Sequence, residues 1–116
     1  MSLTEKNGPG MINQYEIYWI SLDPTQGSEM AKTRPCVVIS PNEMNENLRT
    51  LIIVPITSTI KSYPWRINCV VSDKQGSIAT DQMKVVDRVR MGSKIGKLSR
   101  TEIASLKNIL QKMLID

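Results

Sequence analysis

A chain of 116 residues, 41% hydrophobic and 22% charged, is sized for one domain around an ordinary core, which excludes a multidomain organisation. Fifteen basic against eleven acidic residues leave a net charge of +4, and there is no histidine, so imidazole acid-base catalysis, Ser-His or Cys-His nucleophile pairs and His-ligated metals are excluded. The two cysteines, Cys36 and Cys69, are too few for a disulfide framework or a four-cysteine metal site, and each lies in an apolar run that suits a small buried side chain.

Met1 to Gly10 is polar, contains Gly8-Pro9-Gly10 and runs into a second methionine, Met11. It reads as an appended leader, leaving residues 11–116 as the single domain. With no signal peptide and no apolar run of about 18 residues, a cytoplasmic protein with no membrane partner is expected. Tyr15 to Ile20 opens with aromatic residues and predicts a strand, closed by Asp23-Pro24 and Gly27; Trp19 and Tyr15 are expected in the core. A loop of about a dozen residues, Asp23 to Arg34, follows, and loops of that length are often functional. Pro35 to Ser40 is a β-branched run too short for a helix, Met44 to Arg49 is a turn or one helical turn, and Leu51 to Ile56 is the most apolar stretch. Pro55 cannot donate to a ladder, so it belongs near a strand end, at a bulge or on an edge.

Arg66 to Val71 alternates as a strand, Asp73 to Gly76 reads as a turn, and Ser77 to Ala79 and Met83 to Val86 read as further short strands. Arg90 to Lys97 carries two glycines among basic residues. Ser99-Arg100-Thr101-Glu102 is a capping box, with Leu98 before it positioned to pack on Ile103. Ile103, Leu106, Leu110, Met113 and Leu114 then recur on one helical stripe, which predicts a C-terminal amphipathic helix packed on a sheet. The fold class is therefore mainly β with a C-terminal helix, a strongly bent sheet or small barrel. Lys84, Arg88, Arg90, Lys94, Lys97 and Arg100 fall within seventeen positions holding one acid, Asp87. Such density suits either a phosphate backbone or a solvated basic face.

The run Trp19 to Glu29, followed by Thr33-Arg34-Pro35-Cys36-Val37-Val38-Ile39-Ser40, resembles the opening of the MazF/PemK/Kid toxins. The resemblance continues through Val54-Pro55-Ile56-Thr57-Ser58, Thr80-Asp81-Gln82, Val86-Asp87-Arg88 and the C-terminal helix, and so spans nearly all of 11–116. It implies an SH3-like small barrel of the PemK/CcdB kind, a homodimer, and cleavage of single-stranded RNA with no metal or other cofactor. It also implies a cognate antitoxin whose acidic tail occupies the RNA groove, with DNA contacted only through the antitoxin complex. The apolar run Ile52 to Ile56, taken as exposed, is a candidate dimer surface.

Cutting RNA with its own 2′-OH requires removing that proton, stabilising charge on phosphorus and assisting the departing 5′-oxygen. Arg34 suits the second task, because a guanidinium is always charged and forks two donors onto two phosphate oxygens. Thr57 offers a hydroxyl that donates to the same phosphate. The resemblance makes the positions of Arg34 and Thr57 catalytic; on their own they read as a surface cation and a turn former. Glu29 and Asp81 are candidate bases or groups that orient Arg34, although carboxylates near pKa about 4 are weak bases at neutral pH. Ser28, Thr33, Ser58, Gln82, Lys84, Arg88 and Arg90 complete the supporting and RNA-binding set. Ser28 stands where some relatives carry histidine and Ala79 where the Kid-type branch carries arginine, so the Kid-style acid-base assignment is not carried over. The rivals are a CcdB-like gyrase poison, whose C-terminal tryptophan is missing from Met113-Leu114-Ile115-Asp116, and a non-catalytic SH3-like module that binds RNA or a peptide.

Overall fold

The computed structural model describes residues 10–22 and 33–116. Seven strands, β1 (Glu16–Ser21), β2 (Thr33–Val38), β3 (Thr50–Thr57), β4 (Arg66–Val71), β5 (Lys74–Ala79), β6 (Lys84–Asp87) and β7 (Met91–Lys97), form one antiparallel sheet in the order β4-β5-β3-β2-β1-β7, with β6 also on β3. Among the described residues there are also two α-helices, α1 (Asn42–Asn47) and α2 (Arg100–Leu114). The sheet curls into a half-barrel because β3 changes partner along its length. Its first half, Thr50 to Ile53, pairs with β6, and its end, Ile56 and Thr57, pairs with β5. Pro55 sits at this switch and is buried against Cys36 of β2. The missing amide thus falls where the ladder on that side is already interrupted, and not at an edge.

Alternation along the strands divides the apolar residues between two cores. Tyr18, Ile20, Cys36, Val38, Leu51 and Ile53 build one with Val86 and Met91. Ile17, Val37, Val54, Ile56, Ile67 and Ile78 build the other, beneath α2. Because both faces are covered, the run Ile52 to Ile56 is internal: Ile53 and Val54 are fully buried and Ile56 is nearly so. It is not available as a dimer surface. Both cysteines are free and buried, and burial pushes each thiol up to about 12.

The capping box forms as its sequence dictates. Ser99 Oγ accepts from the Glu102 amide at 3.1 Å while Glu102 Oε1 accepts from the Ser99 amide at 2.8 Å. The other carboxylate oxygen of Glu102 accepts from the Val70 amide at 3.2 Å, tying the helix start to β4. Leu106 is the buried anchor of the stripe, with Leu98, Ile103 and Leu110 beside it. Burying such a leucine contributes about 2 kcal/mol. Met113 and Leu114, also on the predicted stripe, lie beyond the sheet and are exposed.

Two local expectations shift. The turn between β4 and β5 is Ser72-Asp73, both at positive φ (51° and 66°), which makes a two-residue hairpin with Val71 opposite Lys74. Gly76 lies inside β5, because a Cβ there would stand 2.7 Å from Ile56 Cγ2. Arg90 to Lys97 contributes β7, whose glycines hide the strand pattern. Gly92 is needed where β7 passes under β1, since a Cβ would meet the Trp19 carbonyl at 2.9 Å.

A buried carboxylate fastens β1 to β7. Glu16 is 6% exposed; it accepts from the Asn13 amide (2.8 Å) and the Tyr18 hydroxyl (2.9 Å) and pairs with Lys94 Nζ at 2.7 Å. Burial pushes this carboxyl up, but the Lys94, Asn13 and Tyr18 donors together outweigh it and hold the pKa at about 2.

Candidate functional site

The register of β2 with β3 pairs Cys36 with Pro55. Carried two residues along each antiparallel strand, it sets Arg34 opposite Thr57, with both side chains on one face. Beyond this point the ends of β2 and β3 and the β4–β5 hairpin enclose a groove of about 410 Å³. Arg34, Thr57, Thr33 and Ser58 all line it, so four of the residues singled out in the sequence converge there.

Thr57 Oγ1 accepts from the Thr59 amide at 3.1 Å. This local turn bond occupies an acceptor site, fixes the side chain, and leaves the hydroxyl proton free to donate. The turn-forming role and an anion-binding role are therefore compatible in one residue. Arg34 is half-buried, and its guanidinium has no carboxylate or hydrogen-bond partner among the described residues.

The opposite wall carries residues that the sequence reading missed. Lys74, the first residue of β5, brings a second cation, and Gln75 and Gly76 follow it along the groove. Trp19, expected in the core, is 43% exposed and forms part of the lining instead. Glu16, Ile17, Tyr18 and Ile20 are the buried residues of β1, and an aromatic ring gave no sequence signal of which face it takes. Lys74 had a detectable signal: alternation after a Ser72-Asp73 turn sets it at the mouth of the hairpin. Among the described lining residues there are two cations and no carboxylate.

The remaining candidates lie elsewhere. Asp81, in the short 3₁₀ turn Thr80–Gln82, is engaged by Arg66 through two hydrogen bonds of 2.8 and 3.1 Å. Those bonds hold its carboxyl below the usual range, which makes it a poorer base, and it orients Arg66 and not Arg34. Gln82 is exposed at the end of the same turn. Lys84 Nζ donates to the Leu22 carbonyl at 3.1 Å, and the Arg88 guanidinium donates to the Asn45 carbonyl. Arg90 is half-buried in the 3₁₀ turn Arg88–Arg90. None of Lys84, Arg88 and Arg90 lines the groove, and with Lys94 paired to Glu16, much of the basic segment is committed to internal bonds. Ser28, Glu29 and the loop that carries them lie outside the described residues.

Residues 13–114 match the family model described as PemK-like, MazF-like toxin of type II toxin-antitoxin system. The chain is 32% identical over 103 residues to the endoribonuclease toxin MazF of Escherichia coli K12, covering 84% of this chain and 93% of that one. It is 31% identical over 113 residues to the endoribonuclease MazF9 of Mycobacterium tuberculosis, covering 87% and 94%. Among solved structures, a MazE-MazF complex from Deinococcus radiodurans superposes with a TM-score of 0.78 at 22% identity, over 90% of this chain and 96% of that one. An endoribonuclease in complex with its cognate antitoxin from a mycobacterial species gives 0.76 at 18% identity, over 89% and 94%.

Proposed function

The chain belongs to the PemK-like, MazF-like toxins of type II toxin-antitoxin systems and is an RNA-cleaving toxin, and we propose that it cuts single-stranded RNA through Arg34 and Thr57 acting on one phosphate without a metal. The observation that carries this reading is the shared groove: a guanidinium and an alcohol line one cavity with a second cation, Lys74, on its far wall. The 2′-oxygen attacks the adjacent phosphorus as its proton leaves. The P–O5′ bond breaks, the 5′-oxygen takes up a proton, and the products are a 2′,3′-cyclic phosphate and a 5′-hydroxyl.

In this scheme Arg34 donates two hydrogen bonds to the non-bridging oxygens, where charge grows in the transition state. Thr57 donates its free proton to the same group and fixes its register. Lys74 holds a neighbouring phosphate, and the exposed face of Trp19 stacks a base next to the cut. Asp81 has no part in proton transfer, since Arg66 occupies both of its oxygens.

The same two cations suit the carboxylates of an acidic antitoxin tail. The complexes of similar toxins with their antitoxins support such a partner, which would block the groove directly. A homodimer in the cytoplasm, sequence preference in the RNA, and contact with DNA only through the antitoxin belong to the same proposal. Incubation with a labelled mixed-sequence RNA tests it. The expected result is discrete fragments with cyclic-phosphate ends, formed equally in EDTA and abolished by 2′-deoxy substitution at the cut. Continued cutting of the deoxy-substituted strand would overturn the mechanism, and RNA bound but never cut would leave a binding module.

A further inference from the structure

Ser77, inside β5, carries a hydroxyl that the fold buries and does not use. The residue is fully buried, and its Oγ has no hydrogen-bond partner among the described residues. An orphaned buried oxygen weakens a fold, and alanine would occupy the position without that cost. Packing therefore does not account for a serine here.

Its place in the ladder points to a use. Ser77 is directly opposite Thr57 on β3 and Asn68 on β4, and residues opposite one another in antiparallel strands share a face. Their Cβ atoms stand about 5 Å apart, a separation at which serine and threonine hydroxyls hydrogen-bond across strands. At this point β5 is also drawn tight against β3: a Cβ on Gly76, the preceding residue, would meet Ile56 Cγ2 at 2.7 Å and the Thr57 carbonyl oxygen at 3.4 Å. Asn68 is exposed, with its amide open to water, and has no need of the serine. Thr57 has such a need.

A hydroxyl oxygen offers two acceptor sites and one proton. The Thr59 amide takes one acceptor site of Thr57 Oγ1, at 3.1 Å, and a hydrogen bond from Ser77 fills the other. The Thr57 proton is then left a single direction, toward the groove. Ser77 does not line the groove itself, so it acts through Thr57. Between two neutral hydroxyls such a bond is weak. A chain running from the Ser77 hydroxyl through the Thr57 hydroxyl to a phosphate oxygen ends on a charge, and each donor in it polarises the next. Charge on that oxygen grows as the 2′-oxygen attacks, so the chain tightens more in the transition state than in the bound RNA. A turn of Ser77 about its Cα–Cβ bond, from one staggered position to another, redirects its hydroxyl.

We propose that Ser77 is a positioning residue for RNA cleavage, its hydroxyl donating to Thr57 Oγ1 and directing the Thr57 proton onto the scissile phosphate. This rests on the reading of Thr57 given above. The test is Ser77→Ala, assayed on one mapped RNA beside wild type, Thr57→Val and the double variant. Ser77→Ala should lower kcat roughly tenfold with KM unchanged. Its midpoint of urea unfolding should be no lower than that of wild type, because the oxygen removed had no partner. In the Thr57→Val background the same change should cost nothing further. Equal kcat for wild type and Ser77→Ala overturns the inference, and so does a loss that multiplies with that of Thr57→Val. A fall in stability alongside the fall in kcat would make Ser77 a structural residue and overturns it as well. Ser77→Cys, which fills the position but is a weak donor, gives a second reading free of the small cavity that alanine leaves. Its kcat should fall as that of Ser77→Ala does, and a wild-type rate overturns the inference. Wild-type protein that cuts no RNA, or Thr57→Val protein that cuts at the full rate, would instead defeat the reading of the groove and this one with it.

Discussion

Replacing Glu16 by glutamine tests how the sheet is fastened, and the structure sets the size of the effect. The carboxyl is held at about 2, against an ordinary value of 4.5, by Lys94, Asn13 and Tyr18 acting against burial. A native pKa below the unfolded one means that the charged form contributes stability above about pH 4.5, and that this is lost as the pH falls towards 2. The depression corresponds to about 3 kcal/mol, at about 1.4 kcal/mol per unit. Against a total of about 5–15 kcal/mol for a domain, that is a large share, worth on the order of 10 °C in Tm. Urea unfolding of wild type and Glu16→Gln at pH 7, 5, 4 and 3 measures it. The variant should be less stable by about 3 kcal/mol at pH 7, and the gap should close steadily below pH 4.5. A gap that stays constant down to pH 3 would refute the reasoning, because the stabilisation would then not reside in the charged carboxylate.

Three further outcomes concern the groove. Arg34→Ala should lower kcat/KM about a hundredfold to a thousandfold while Tm moves by no more than about 2 °C, since a half-exposed guanidinium with no partner among the described residues adds little to folding; parallel thermal melts and cleavage rates decide it. Thr57→Val should lose at least about tenfold in rate and Thr57→Ser much less, because only the hydroxyl donates to the phosphate; equal losses in kinetic assays would mean that shape matters and the proton does not. Gly76→Ala forces a Cβ to within 2.7 Å of the buried Ile56 and should cost about 1–3 kcal/mol of stability, with a fall in cleavage as β5 is pushed away from Thr57; a variant as stable as its parent in urea would deny that close approach.

What the sequence made legible follows from the range of the interactions involved. The capping box of α2 was readable because Ser99 and Glu102 are three residues apart and satisfy each other locally. The strands of the cores were readable from β-branched runs, and the motifs around Arg34 and Thr57 pointed to two residues that share the groove. Facing was not readable. Trp19 and Tyr18 are adjacent aromatics of similar appeal to a core, yet alternation sends one inward and the other into the groove. Partner choice was hidden as well. Asp81 could have served any nearby cation, and only the β4–β5 ladder brings Arg66 to it across fifteen positions. The basic run from Lys84 to Arg100 looked like a nucleic-acid face because sequence counts charges and cannot see that Glu16, Leu22 and Asn45 engage three of them. Lys74, a lone cation at a hairpin, is delivered to the groove alongside Arg34.

The central claim is that Arg34 and Thr57 act together on a single phosphate, and a double-mutant cycle on kcat/KM tests it most directly. Groups that stabilise one transition state as a unit are strongly non-additive, so Arg34→Ala/Thr57→Val should be little worse than Arg34→Ala alone. Losses that multiply, giving the product of the two single effects on the same mapped RNA, would contradict it.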